Sequence, residues 1–70
     1  MDIFAQRLRI LRQNLGVTQE VVATAFGITS RTYIRYENGE REPTISLLPT
    51  IADYFDVSTD YLLGRSDERK

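Results

Sequence analysis

The sequence predicts an all-α domain of five short helices around one core. Three observations carry this. Apolar residues recur three and four positions apart, and no stretch alternates every second residue as a half-buried strand does. Four of the five apolar segments open at a Ser or Thr and stop at a Gly or Asp, the residues that start and end helices. The chain has 70 residues, enough for one small domain and no second.

The elements follow in order. Phe4, Leu8, Leu11 and Leu15 lie within a ~60° arc at about 100° per residue, a narrow apolar stripe with Arg7, Arg9, Gln13 and Asn14 off it. Gly16 stands where a helix often closes in the left-handed conformation. Thr18 is the expected N-cap of a second helix, since its hydroxyl can accept an orphan backbone N–H. Val22, Ala23 and Phe26 form the inward face of that helix, and Gly27 ends it. Thr29 caps a third helix that runs to about Asn38 and is closed by Gly39. Two short helices joined around a glycine make a helix-turn-helix. Glu40-Arg41-Glu42-Pro43 is a polar connector.

The fourth helix covers roughly Leu47–Phe55. Its start is constrained by Pro49, which has no N–H and clashes with the carbonyl four residues back. Ser46 as cap places Pro49 in the first turn, where N–H groups are orphaned anyway, so Ile45 is expected outside the helix. Asp56 closes this helix, Val57 docks the chain, and Ser58 caps a fifth helix that runs through Leu63 and stops at Gly64. The domain is thus assigned to residues 1–64, and residues 65–70 to a frayed, charged tail.

Composition narrows the chemistry. There is no Cys, which excludes disulfides, thiolate zinc sites and cysteine nucleophiles. There is no His, the commonest metal ligand and the usual neutral-pH general base. Without either, no nucleophile–base pair or metal cluster can be assembled, so neither an enzyme nor a metal or other cofactor is expected. Glu40, Glu42, Asp53, Asp56 and Asp60 fall on a connector and on helix ends, where helix-boundary and dipole roles account for Asp56 and Asp60. No apolar run approaches the ~18 residues that span a bilayer, and Met1-Asp2-Ile3-Phe4 lacks the layout of a signal peptide. A soluble, cytoplasmic protein without membrane contact is expected. The net charge of −1 argues weakly against nucleic acid. Its distribution is less neutral, about +1 over residues 1–43 and −2 over residues 44–70.

The third helix carries the functional signal. With Ser30 at 0°, Ile34 falls at about 40°, Asn38 at about 80°, Arg31 at about 100° and Arg35 at about 140°. Tyr33, Tyr36 and Thr29 fall on the other side. One face is aromatic and inward, and the other carries Arg and Asn, side chains that make bidentate hydrogen bonds to guanine and adenine edges. Ordinary solvated helix arginines are the alternative for Arg31 and Arg35. Ile34 either meets a thymine methyl or is an exposed apolar residue without consequence. Val21 and Ala25 extend the apolar arc of the second helix, either as a small partner contact or as ordinary surface.

The pattern Gln19-x-x-Val22-Ala23-x-x-Phe26-Gly27-Ile28-Thr29-x-x-x-Tyr33-x-x-Tyr36-Glu37-x-Gly39 resembles the helix-turn-helix of the lambdoid phage repressor and Cro family, also called the xenobiotic-response-element family. The resemblance covers about residues 4–64. It includes Arg12, Arg41-Glu42-Pro43 and the ending Ile51-Ala52-Asp53-Tyr54-Phe55-x-Val57-Ser58-x-Asp60-Tyr61-Leu62-Leu63-Gly64. Ala23 fits the close crossing of the two helices, and Gly27 the positive φ of the turn. Tyr33 departs from the family, where a β-branched aliphatic is usual. Its ring is expected in the core, with the hydroxyl at the edge finding a partner or water.

The resemblance implies a lambda-repressor-like fold and roles by position. Gln19 matches a DNA-backbone clamp, where helix N-terminal N–H groups also face a phosphate, and Asn38 matches a second backbone contact. Ser30, Arg31 and Arg35 match base-reading positions. Thr32 is a phosphate contact, a structural one, or neither. Arg12 and Glu37 match a partly buried ion pair that also points the Arg toward a phosphate.

The sequence is therefore read as a bacterial or phage transcriptional regulator, most readily a repressor. Its expected partner is a two-fold double-stranded DNA operator, bound as a homodimer at least on DNA. The last helices, with Tyr54, Tyr61 and residues 57–63, are the expected subunit contact. The alternative is a protein-binding antitoxin or antirepressor on the same fold.

Overall fold

The computed structural model describes residues 2–70. Its helices are α1 (Ile3–Leu15), α2 (Gln19–Phe26), α3 (Ser30–Glu37), α4 (Leu48–Phe55) and α5 (Thr59–Leu62). Each contributes one side chain at 0% exposure to the centre: Leu8, Val22, Tyr33, Ile51 and Leu62. α2 packs on α3, α1 packs on both α3 and α5, and α4 packs on α5. Around Phe26 the aromatic rings of Tyr33, Tyr54 and Phe55 stand tilted or edge-on at centroid distances of 5.3 to 6.2 Å, the arrangement their quadrupoles favour.

Capping explains the helix limits. Asp2 accepts from the backbone N–H groups of Phe4 and Ala5 at the start of α1. Thr18, Thr29 and Ser58 accept from Val21, Thr32 and Tyr61 in the first turns of α2, α3 and α5. Each bond satisfies a donor that the helix itself leaves orphaned. Ile45 lies outside α4, and Pro49 sits in the first turn of that helix.

Four expectations are corrected. Leu15 is 52% exposed rather than part of the inward stripe. The left-handed turn at Gly16 brings Val17 onto the core in its place. Ser46 does not cap α4. Leu47 occupies that position with no side-chain cap, because backbone bonds from Leu47 to Thr44 and from Leu48 to Ile45 already lead into the helix. The fifth helix ends at Leu62, one residue short of the expected Leu63.

The fourth correction is the tail, which is not frayed. Arg7 donates to the carbonyl oxygens of Tyr61 and Ser66 and pairs with Asp67 at 3.0 Å. Its guanidinium lies 4.1 Å from the centre of the Tyr61 ring. Ser58 N–H donates to the Arg69 carbonyl, and Lys70 pairs with Asp56. The Tyr61 carbonyl at the end of α5 thus accepts from Arg7 as well as from the Gly64 backbone N–H. Tyr61 is consequently buried, and Tyr54 is half-buried against Phe26 and Phe55. Both rings pack within the domain, and Tyr54 keeps part of its surface exposed.

Candidate nucleic-acid interface

The α2–α3 unit is held by its turn. Ile28 N–H donates back to the Ala23 carbonyl at 3.0 Å, and Gly27, at φ 71°, makes the reversal. Ala23 is 1% exposed, so little room remains for a larger side chain where the two helices cross. On α3, Tyr33 and Tyr36 face the core together with Glu37. The opposite side is open: Arg31, Ile34, Arg35 and Asn38 are exposed, and Ser30 is half-buried. Among the described residues neither Arg31 nor Arg35 has an ion-pair partner. Thr32 donates its backbone N–H to the Thr29 hydroxyl, which in turn donates to the Thr32 hydroxyl, so Thr32 is tied to the N-cap of α3.

At the edge of this face lies a buried polar cluster. Arg12 donates from Nε to Glu37 Oε2 at 2.6 Å and from Nη2 to Oε1 at 3.1 Å, a bidentate pair between α1 and α3. Its Nη1 donates to the Val17 carbonyl. Gln19, at the first position of α2, donates from Nε2 to Glu37 Oε1 at 3.1 Å. Glu37 is 1% exposed. Burial alone would push its carboxyl up, but the bond from Arg12, the nearby Tyr33 hydroxyl and the bond from Gln19 outweigh it and hold the group below its ordinary value. Hydrogen bonding to the same carboxylate raises Arg12.

The Tyr33 hydroxyl is not at the edge. It is buried with no hydrogen-bond partner among the described residues. Burial first, and the adjacent Glu37 second, push its ionisation up. The reason is position: Tyr33 sits one turn before Glu37 on the inward side of α3, so its ring fills the core and its hydroxyl stops beside the ion pair without reaching bonding geometry.

The sequence-expected residues thus fall into two groups. Ser30, Arg31, Ile34, Arg35 and Asn38 share the open side of α3. Arg12, Gln19 and Glu37 are joined by hydrogen bonds. The Gln19–Glu37 bond was not foreseen, and no local pattern announces it, because the two residues lie on different helices. Arg7 was likewise missed as more than a surface charge. Among the described residues no group of three or more carboxylates could hold a metal ion, and no helix is long and apolar enough to cross a membrane.

Comparison with known proteins agrees with this geometry. A family described as helix-turn-helix matches residues 8–62. The chain is 41% identical over 68 residues to YqaE of Bacillus subtilis, described as an uncharacterized HTH-type transcriptional regulator, covering 96% of this chain and 59% of that protein. It is 40% identical over 60 residues to the cryptic phage CTXphi transcriptional repressor RstR of Vibrio cholerae, covering 86% of this chain and 54% of that protein. The chain therefore spans less than two thirds of these relatives. Among solved structures, the P22 c2 repressor in complex with a synthetic operator superposes with a TM-score of 0.84 at 25% identity, covering 90% of this chain and 96% of that one.

Proposed function

The chain belongs to the helix-turn-helix family, and we propose that it is a sequence-specific DNA-binding transcriptional regulator, a repressor, that reads operator half-sites with α3 in the major groove. The observation that carries this is the open side of α3. Arg31, Ile34 and Arg35 stand exposed and unpaired on a helix whose other side is locked into the core. Arg31 and Arg35 supply forked donors to guanine edges, Ser30 a small hydroxyl, and Ile34 an apolar contact for a thymine methyl. Gln19 and Asn38, at the start of α2 and the end of α3, flank the reading side and set its register on phosphates, and Arg12, its charge paired with Glu37, offers a remaining N–H to the same backbone. The operator complex of the P22 c2 repressor, on the same fold, supports the partner.

The domain measures 28 × 22 × 22 Å, shorter than the ~34 Å between half-sites one helical turn apart. Two copies are needed to read both. With Tyr54 and Tyr61 committed to packing, the exposed apolar residues left near the end of the domain are Ile45 and Leu63, beside a groove lined by Phe4, Pro43 and Leu48. The protein acts by binding, without catalysis or cofactor, in the cytoplasm where its DNA is. Selection of bound duplexes from random DNA tests the reading. It predicts a half-site consensus repeated as a palindrome with about one turn between centres. Absence of any consensus would favour a protein-binding role.

A further inference from the structure

The buried carboxylate of Glu37 has more partners than an ion pair requires. Arg12 supplies two N–H groups from α1, and Gln19 supplies a third from α2. Gln19 is half-buried at the first position of α2, with its amide on that carboxylate. A glutamine amide has a donor end and an acceptor end, and a freely turning one presents either to its surroundings. An ionised carboxylate only accepts. It therefore fixes the Gln19 nitrogen toward itself, and that nitrogen carries two N–H groups. One is taken by Glu37, and the other has no partner among the described residues. We propose that Glu37 is a positioning residue that aims this second N–H of Gln19 at a DNA phosphate, and so sets affinity for any duplex without touching one. The inference rests on the reading of Gln19 as a backbone contact.

Removing the carboxylate separates this from simple electrostatics. Glu37 is an anion behind a surface that meets phosphates. Neutralising it leaves Arg12 as an uncompensated cation, so charge alone predicts tighter binding. Positioning predicts the opposite sign. The carbonyl of a Gln at position 37 still accepts from Arg12, but its amide no longer dictates which end of Gln19 turns outward.

The test is a cycle of the unaltered chain, Gln19→Ala, Glu37→Gln and the double variant. Each is titrated against the selected duplex and a scrambled one, at a temperature where circular dichroism shows all four folded. Glu37→Gln should weaken binding of both duplexes by the same factor, between about twofold and tenfold, the scale of one ordinary net hydrogen bond. It should cause no further loss when Gln19 is already Ala. Binding that is equal or tighter, or a loss as large in the Gln19→Ala background, overturns the inference. The unaltered chain gives an independent reading by NMR. One Gln19 Nε2 proton should be shifted and protected by the carboxylate before DNA is added, and the other should move on adding scrambled duplex. Two equivalent protons that move together overturn the inference as well. If the unaltered chain binds no duplex, the backbone role of Gln19 falls first and takes the inference with it. Normal binding with additive losses overturns the inference alone.

Discussion

Tyr33 places a hydroxyl in the core with nothing to bond it. An unbonded buried hydroxyl costs about 1–3 kcal/mol, offset here in part by its attraction to the neighbouring Glu37 carboxylate. Tyr33→Phe keeps the ring contacts with Phe26 and Tyr36 and removes that cost. We expect the variant to be more stable by about 1 kcal/mol, a rise in Tm of roughly 4–8 °C for a domain of this size. A lower Tm would show that the hydroxyl serves the Glu37 carboxylate after all. Glu37 itself is the reverse case, a buried charge with three donors. Stripping one partner from a buried pair costs roughly 3–5 kcal/mol, and the 16% exposure of the Arg12 side chain reduces this. Glu37→Ala should therefore lower Tm clearly more than Glu40→Ala, whose carboxylate is exposed. Equal melting temperatures would remove the pair from the account. The same carboxyl titrates below its ordinary 4.5 in the folded protein. Between the folded and unfolded values the unfolded state binds more protons. The contribution is thus full above about pH 4.5 and is lost as pH falls through the lower folded value. Denaturant midpoints should fall less steeply below pH 4.5 in Glu37→Gln than in the unaltered chain, and parallel profiles would contradict this.

At the scale of the helix, most boundaries were legible because capping is local. Thr18, Thr29 and Ser58 each bond a backbone N–H three residues ahead, and a short stretch of sequence contains all of that chemistry. Leu15 and Ser46 were misread for the complementary reason. Whether the last turn of α1 faces the core depends on where Gly16 turns the chain, and Ser46 lost its capping role to backbone bonds that no side-chain pattern records. The glycines at element ends show the same contrast. Gly27 and Gly64 have φ of 71° and 78°. A Cβ at Gly27 would meet nothing within 4 Å, whereas at Gly64 it would come to 2.5 Å from Ile3 Cγ2. Gly27→Ala carries only the strain of the left-handed backbone, about 1–2 kcal/mol. Gly64→Ala adds displacement of Ile3 and the start of α1. Urea denaturation should rank Gly64→Ala as the less stable variant, and the reverse order would mean that Ile3 yields freely.

Across the whole molecule, the fold was legible and its lateral contacts were not. Helical periodicity placed Leu8, Val22 and Phe26 inward and left Arg31 and Arg35 outward, which is the division the structure shows. The return of residues 65–70 onto Arg7, and with it the burial of Tyr61, depends on contacts between positions more than fifty residues apart. No periodicity reaches across such a separation, so the place of Tyr61 beneath the returning tail was not legible. The functional consequence is a division of labour across one domain. The inward face of α3 is buried in the core and, on the proposed reading, its outward face serves recognition, so substitutions on the outward face should alter binding and leave Tm nearly unchanged.

The central claim is that α3 reads bases while Gln19 and Asn38 hold the backbone, and salt-dependent titration tests it most directly. Arg31→Ala, Arg35→Ala, Gln19→Ala and Asn38→Ala are each measured against the selected duplex and a scrambled one at several salt concentrations. Each arginine change should cost about 1–3 kcal/mol of discrimination and flatten preference at one or two operator positions. The two neutral residues should weaken both duplexes about evenly and leave the salt slope nearly unchanged, since the slope counts displaced counterions. An arginine that also touches phosphate would lower the slope by about 0.9 on removal. If Arg31→Ala and Arg35→Ala both leave the ratio of selected to scrambled binding untouched, α3 is not the reading element and the account is contradicted.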